Sequence, residues 1–134
     1  MSDFILIMED DPFTQQFYSY LFRRTPYEIK VTDNGDEFLQ LLEEREVTLI
    51  ILDINLKNTY LNDEKVDGVM LSQLIKSNPI HSHIPVILVT AYQNKMNGRD
   101  LLSESRADDY ILKPITDFND LLVKIQRLTI VDGA

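Results

Sequence analysis

The sequence predicts an α/β domain in which a five-stranded parallel sheet is doubly wound, with helices on both faces. The first observation is that five short apolar runs alternate along the chain with segments of helical periodicity. The second is that most of these runs contain no polar residue, which is typical of parallel strands covered on both faces. Right-handed crossovers through the helices would then place helices on both sides of the sheet.

The apolar runs give the predicted strands, and the periodic segments give the predicted helices. We predict strands over residues 4–8, 29–31, 49–52, 86–89 and 110–112. Well-defined helical patterns begin near residues 13, 38, 69 and 118. The second helix should be capped within residues 33–35, and the third should end before Pro79. The helix predicted between residues 98 and 105 has the weakest pattern.

Composition and charge restrict the class of protein. A chain of 134 residues fits a single domain over residues 1–134, and 44% hydrophobic residues indicate a globular one. Because the sequence has no cysteine, a disulfide scaffold, a thiolate nucleophile and cysteine-bound zinc are excluded. The net charge of −9 argues against nucleic-acid binding, which needs lysine and arginine. The start of the chain has neither a signal peptide nor a membrane span, so we expect a cytoplasmic protein.

Polar side chains follow four of the five predicted strands, where each strand ends. They are Glu9-Asp10-Asp11 after the first, Asp53 after the third, Thr90 after the fourth and Lys113-Pro114 after the fifth. Each type alone has an ordinary explanation as a turn former, a helix start or a solvated charge. Together they should converge, because the carboxyl ends of parallel strands lie at the same edge of the sheet. Ligands of open α/β sheets bind at that edge. Carboxylates that lie close together repel one another, and a hard cation such as Mg²⁺ relieves that repulsion.

These residues resemble the response-regulator receiver family. The matching positions are Asp10-Asp11, Asp53, Thr90 and Lys113-Pro114, in order and at the corresponding strand ends. The resemblance extends over residues 4–128 and includes the segments 89–91 and 107–110 around these positions. It implies a flavodoxin-like fold and a phosphorylation switch of a two-component system or phosphorelay, rather than an enzyme that acts on external substrates.

The resemblance also implies a role for each site residue. Asp53 would accept the phosphoryl group from a histidine kinase or a phosphotransfer protein. Mg²⁺ would be held by Asp11, Asp53 and the backbone carbonyl of Asn55, with Asp10 acting through water or sharing the ion. Lys113 would pair with a phosphoryl oxygen on the side opposite the metal.

A switch between two states is the next implication. Thr90 would donate its hydroxyl to the phosphoryl group and leave space into which Tyr110 turns, although a static, half-buried tyrosine is the alternative. The surface of the fourth helix, fifth strand and fifth helix would then dock a target protein or a second copy. Since the chain ends near the predicted fifth helix, we expect no attached output domain.

Two stretches depart from the family pattern. Residues 54–67 are longer than the usual loop, and residues 103–106 read Ser-Glu-Ser-Arg where many relatives have a small residue and glycine. The long loop, over 57–67, has two interpretations. It is a solvated insertion, or it shields the acyl phosphate from water or contacts the incoming kinase, with Tyr60 as its anchor. The peptide bond before Pro114 is cis in the family.

Three other functions fit the sequence less well. A phosphatase of the haloacid-dehalogenase type requires Asp-x-Asp, whereas Asp53 is followed by Ile54-Asn55. A P-loop nucleotide binder is excluded because no Gly-x4-Gly-Lys motif occurs. A degenerate receiver that only docks would lack the acid pair, the acceptor or the lysine, and all of these are present. His81 and His83 are predicted to be solvated.

Overall fold

The computed structural model describes residues 3–91, 95–96 and 99–129. Its main sheet has five parallel strands, numbered here in chain order: β1 Phe4–Met8, β2 Glu28–Thr32, β3 Leu49–Asp53, β4 Val86–Thr90 and β5 Asp109–Leu112. Their order across the sheet is β2-β1-β3-β4-β5, and all four pairings are parallel. This is the flavodoxin-like, doubly wound arrangement, so the predicted fold class is confirmed.

In the described part of the chain, five helices connect or follow these strands. They are α1 Pro12–Phe22, α2 Gly35–Glu44, α3 Gly68–Ser77, α4 Leu101–Ser105 and α5 Phe118–Thr129. The side chain of Asn34 caps α2 by accepting a hydrogen bond from the backbone of Glu37, as the turn at residues 33–35 predicted. The helix predicted between residues 98 and 105 is only five residues long and starts at Leu101.

Each face of the sheet packs against its own set of helices. On one face, Leu6 and Ile50 belong to a core that also contains Phe38 of α2 and Leu71 of α3. On the other face lies a second core, whose buried residues are Ile5, Ile7, Tyr18, Phe22, Leu49, Ile51, Ile87, Val89, Ile111, Leu121 and Ile125. Every residue of β1, β3 and β4 is buried, which is why their sequences carry no alternation.

The long segment between β3 and α3 folds back on itself. Tyr60–Leu61 pairs antiparallel with Glu64–Lys65, and a second two-residue pair joins Lys95–Met96 to Arg99–Asp100. The turn residues Asn62 and Asp63 have φ values of 51° and 67°, the left-handed conformation that two-residue hairpin turns require. We call residues 57–66 the insertion hairpin.

The two ends of this segment meet. The backbone N–H of Gly68 donates to the carbonyl of Ile54 at 3.4 Å. The backbone of Gly68 also lies so close to the carbonyl of Asp53 that a Cβ would not fit there. The chain therefore leaves the end of β3, forms the insertion hairpin and returns to the same place beside β3.

One sequence-based expectation was wrong. His81 was predicted to be solvated, but it is buried, and its Nε2 lies 3.8 Å from Oε1 of Glu43. His83 is exposed, as predicted. Among the described residues, no helix combines the length and the apolarity that are needed to cross a bilayer.

Candidate functional site

A cleft of about 400 Å³ opens at the carboxyl ends of β1 and β3. It is lined by Glu9, Asp10, Asp11, Pro12, Thr14, Asp53, Asn55, Lys57, Asn58 and Lys113. The acidic residues after β1, the aspartate that ends β3 and the lysine after β5 are thus brought together, at the edge where parallel sheets place ligands.

Asp53 lies at the centre of this cleft. It is the last residue of β3 and only 2% exposed. Its Oδ2 accepts a hydrogen bond from Nζ of Lys113 at 2.6 Å, and its Oδ1 accepts one from the backbone N–H of Asn55 at 3.0 Å. The backbone N–H of Lys113 donates to the carbonyl of Thr90 at 2.7 Å, which aligns the lysine with β4. The Lys113–Pro114 peptide bond is cis, as in the family.

Glu9 belongs to the acidic run that follows β1, but no role was predicted for it. It is 1% exposed, its Oε2 accepts from the backbone N–H of Asp11 at 3.1 Å, and its Oε1 lies 3.4 Å from Nζ of Lys113. That contact is an ion pair but not a hydrogen bond, and Oε1 accepts no hydrogen bond within the described part of the chain. The strand register would have identified Glu9. Met8 of β1 pairs with Leu52 of β3, so the next residues, Glu9 and Asp53, occupy equivalent positions at the ends of neighbouring strands.

The charges at this site influence one another. Burial, and then the charge of Asp53, raise the pKa of Glu9 from its ordinary 4.5 to about 7. Partial burial alone would lower the pKa of Lys113. The hydrogen bond to Asp53 and the charges of Asp53 and Glu9 outweigh that effect, so the pKa of Lys113 is raised. The single ammonium of Lys113 therefore forms ion pairs with two buried carboxylates, those of Glu9 and Asp53.

Asp10 lies at the rim of the cleft and contacts the insertion hairpin. Its Oδ2 accepts hydrogen bonds from the backbone N–H groups of Lys57 and Asn58, both at 2.7 Å, and from Oγ1 of Thr59 at 3.2 Å. These donors lie 47 to 49 residues away in the chain. Asp10 is half-buried, and three consecutive residues of the hairpin, 57–59, donate hydrogen bonds to one of its oxygens.

Asp11, predicted as a metal ligand, lines the cleft from its exposed side. It is the N-cap of α1, and its Oδ2 accepts from the backbone N–H of Thr14 at 2.9 Å and from its Oγ1 at 2.7 Å. The bond from the Thr14 hydroxyl, followed by that from its backbone, lowers the pKa of Asp11. Asp11 is exposed, so it is Glu9 that lies beside Asp53 in the interior of the site.

The two predicted switch residues lie outside the cleft lining. Thr90 ends β4 and is 1% exposed, while Tyr110 on β5 is half-buried and pairs with Leu88. Because Leu88 and Thr90 are two residues apart on one strand, Thr90 and Tyr110 lie on the same face of the sheet. Tyr110 packs against the core that contains Leu88.

The side chains of the cleft fit a hard cation. Within residues 3–91, 95–96 and 99–129, no group of three or more His, Asp or Glu side chains forms a ready-made metal cluster. Mg²⁺ does not need one, because it takes one or two carboxylates and keeps several waters. The buried Oε1 of Glu9, which lacks a hydrogen bond from the described residues, and the repulsion between Glu9 and Asp53 fit such an ion.

Sequence comparisons point to one family. A family model described as the response regulator receiver domain matches residues 5–126. The TorCAD operon transcriptional regulatory protein TorR of Escherichia coli K12 is 33% identical over 128 residues, which is 96% of this chain and 50% of that protein. The transcriptional regulatory protein SrrA of Staphylococcus aureus NCTC 8325 is 28% identical over 128 residues, 96% of this chain and 48% of its own. The chain spans about half the length of these curated relatives.

Solved structures show the same fold. The signal receiver domain of a signal transduction histidine kinase from Syntrophus aciditrophicus has a TM-score of 0.80 at 29% identity, covering 96% of this chain and 90% of that one. The receiver domain of sensor histidine kinase PA1611 from Pseudomonas aeruginosa has a TM-score of 0.79 at 22% identity, with 100% of both chains covered. That second structure has a magnesium ion coordinated in its active-site cleft.

Proposed function

Because the chain belongs to the response regulator receiver domain family, we propose that it accepts a phosphoryl group on Asp53 and thereby changes a protein-docking surface. Receiver domains of response regulators act as signalling switches. The observation that carries the assignment to Asp53 is its 2.6 Å contact with Lys113 at the buried end of β3, beside an open cleft.

The chemistry follows from the contacts of Asp53. A carboxylate oxygen of Asp53 forms a bond to phosphorus, the bond from phosphorus to the donor's imidazole nitrogen breaks, and the imidazole keeps the electron pair. Such transfer depends on positioning and on charge neutralisation. The N–H of Asn55 orients the carboxylate, and Lys113 provides a cation next to the oxygens of the incoming group.

Mg²⁺ is part of this proposal. The sequence predicted Asp10, Asp11, Asp53 and the carbonyl of Asn55 as its ligands. The contacts favour Asp53 and Glu9, with Asp10 and Asn55 at the rim, because Asp11 is exposed and its side chain is held as the N-cap of α1. When bound, the ion would neutralise charge on the phosphoryl oxygens. The magnesium ion in the active-site cleft of the PA1611 receiver domain supports the choice of ion.

The partners follow from the same role. The phosphoryl donor would be a histidine kinase or a phosphotransfer protein, and the output would pass to a protein target or a second copy through α4, β5 and α5. The two curated relatives are transcriptional regulators about twice as long, so nothing follows for the whole protein about nucleic acid. For this segment, the absence of nucleic-acid binding, like the cytoplasmic location, stays a prediction.

The switch would use Thr90 and Tyr110, because both lie on the same face of neighbouring strands. Beryllofluoride with Mg²⁺ mimics the phosphorylated state, and it should change hydrogen exchange within 91–111, a range that includes residues outside the described part. Thr90→Val should remove most of that change. Identical exchange with and without beryllofluoride would show that the response lies elsewhere.

Phosphorylation is tested with a small acyl-phosphate donor and Mg²⁺, read by intact-protein mass spectrometry. The wild-type protein should gain one base-labile phosphoryl group, and Asp53→Asn should gain none. Asp108→Asn is the matched control, since it alters another lysine-paired aspartate and should be labelled normally. If folded wild-type protein is not labelled, the chain acts as a docking module independent of phosphorylation.

A further inference from the structure

The insertion hairpin makes contacts that a merely solvated loop would not make. Three donors from residues 57–59 converge on one oxygen of Asp10, and Thr59 itself is fully buried. Two of the donors are consecutive backbone N–H groups, an arrangement that binds anionic oxygens well. Hydrogen bonds to an ionised carboxylate are about twice as strong as neutral ones.

The same hairpin is anchored on its other side by α2. The backbone N–H of Asn62 donates to Oδ1 of Asp36 at 3.2 Å. A Cβ on Gly35 would lie only 2.5 Å from the carbonyl oxygen of Tyr60, so the hairpin and the first turn of α2 are in direct backbone contact. The base of the hairpin is closed by the bond from the N–H of Val66 to the carbonyl of Thr59 at 3.0 Å. Thr59 is therefore fixed between α2 and the cleft.

We propose that Thr59 is a positioning residue for Asp10, and that the insertion hairpin, braced on α2, holds the Asp10 carboxylate ready for Mg²⁺. This inference rests on the proposed function. An acidic side chain at a cleft rim would otherwise sample several rotamers, and ordering it on binding weakens affinity. Because the hairpin orders Asp10 beforehand, metal binding avoids that loss.

The first test compares two substitutions at Thr59. Thr59→Val keeps the shape and removes the hydroxyl, whereas Thr59→Ser keeps the hydroxyl. Calorimetric titration with Mg²⁺ should show affinity reduced about three- to tenfold in Thr59→Val, as expected for one hydrogen bond to a charged group. Thr59→Ser should stay within about twofold of wild type on the same scale. Thermal unfolding in EDTA checks that each variant is folded.

The outcomes separate this inference from the proposed function. If wild-type protein binds Mg²⁺ and Thr59→Val binds it equally well, Thr59 does not position Asp10 and the inference is overturned. An equal loss in Thr59→Val and Thr59→Ser also overturns it, because the effect would then come from packing. If wild-type protein binds no Mg²⁺, the metal part of the proposed function fails as well.

A second variant tests the brace from outside the cleft and decides the matter if Thr59→Val does not fold. Gly35→Ala adds a Cβ against the Tyr60 carbonyl and must displace the hairpin, although alanine by itself favours the helix. Its Mg²⁺ affinity should fall about threefold or more, again the range for a weakened hydrogen bond. Gln40→Ala, on the exposed side of α2, is the control and should bind as wild type. Wild-type affinity in Gly35→Ala would overturn the bracing by α2.

Discussion

Two lysine–aspartate pairs lie at opposite ends of the sheet and differ in how their charges are balanced. At the amino end, Nζ of Lys76 lies 2.8 Å from Oδ2 of Asp108. At the carboxyl end, Nζ of Lys113 lies 2.6 Å from Oδ2 of Asp53. The two distances are nearly the same, so the length of the ion pair does not distinguish a structural pair from a functional one.

The pair at the amino end is a closed network. Oδ2 of Asp108 also accepts from the backbone N–H of Val86 at 2.8 Å, and Nζ of Lys76 also donates to the carbonyls of Ser82 and Ile84. One positive charge meets one negative charge, and the hydrogen-bonding groups have partners. These contacts join α3 to the start of β4, and their charges balance without a ligand.

The pair at the carboxyl end is left unbalanced by Glu9. Two carboxylates share one ammonium, the pKa of Glu9 is raised to about 7, and the site opens to a cleft. An excess of negative charge next to a fixed cation is what a divalent ion and a phosphoryl group would use. The two pairs therefore differ in charge balance and in the burial of the aspartate, which is 37% exposed in Asp108 and 2% in Asp53, but not in distance.

The largest expected difference is in phosphorylation when each lysine is replaced by methionine. Lys113→Met should slow labelling by an acyl-phosphate donor about 100-fold or more, because charge neutralisation at the phosphoryl group is lost. Lys76→Met should be labelled at the wild-type rate. The rates are read by mass spectrometry of quenched samples. Equal slowing in both variants would show that Lys113 has no special role in phosphorylation.

The next effect is on stability, and it should be largest at the closed network. Lys76→Met should lower the free energy of unfolding by about 2 kcal/mol, mainly because it leaves the carbonyls of Ser82 and Ile84 without a donor; Asp108, which is partly exposed, keeps contact with water. Urea unfolding of metal-free protein near pH 7 measures it. A loss below about 1 kcal/mol, the net value of one ordinary hydrogen bond, would argue against a closed network.

Glu9 should give metal-free protein a pH-dependent stability. Its pKa is raised from 4.5 to about 7 on folding, so the folded state binds the proton more tightly. Stability should therefore fall as pH rises through this window, by about 2 kcal/mol between pH 5 and pH 8. Glu9→Gln should remove most of that slope, whereas Asp108→Asn should retain it. Urea unfolding in EDTA measures the slope, and an unchanged slope in Glu9→Gln would contradict the assignment.

The smallest effect is expected for a third ion pair, at the surface. Nη2 of Arg45 lies 3.0 Å from Oε1 of Glu28, with side-chain exposures of 41% and 51%. Glu28→Gln should change the free energy of unfolding by less than about 0.5 kcal/mol and leave phosphorylation unchanged. The glutamate is the better target because Arg45 also packs over the ring of Phe4 at 4.0 Å. A larger change would mean that exposed pairs matter here.

Most of the fold was predictable because its signals are local. The runs that form β1, β3 and β4 have no polar interruption, and each of these strands is fully buried. The predicted β2 and β5 were too short because Glu28, Thr32 and Asp109 are polar yet pair in register. Polarity at a strand end says little about backbone pairing, so such boundaries are hard to predict.

The site was predictable in outline but not in its acidic pair. Asp53 and Lys113 lie where the strand ends placed them. Asp11 was predicted to be a metal ligand, although an aspartate followed by proline is also a helix-start signal, which the N-cap geometry bears out. The bond from Thr59 to Asp10 joins residues 49 apart and leaves no local signal.

Arg106 illustrates the same limit. It ends α4 with φ of 63°, a conformation that favours glycine. Its guanidinium donates to the carbonyl of Lys76 at 2.9 Å and to Oγ of Ser77 at 3.2 Å, contacts that offset the unfavourable backbone. The departure of residues 103–106 from the family pattern is thus explained by side-chain contacts with α3, which the local sequence does not reveal.

The contact between Gly68 and the end of β3 has a consequence for engineering. Because the chain leaves and re-enters the fold at one point, the tip of the insertion hairpin can be lengthened with little loop-closure entropy and without moving the strand. The exposed turn at Asn62–Asp63 is therefore a suitable place to insert a fluorescent reporter. Since residues 57–59 contact Asp10, a reporter at the tip would be carried by the element that borders the cleft.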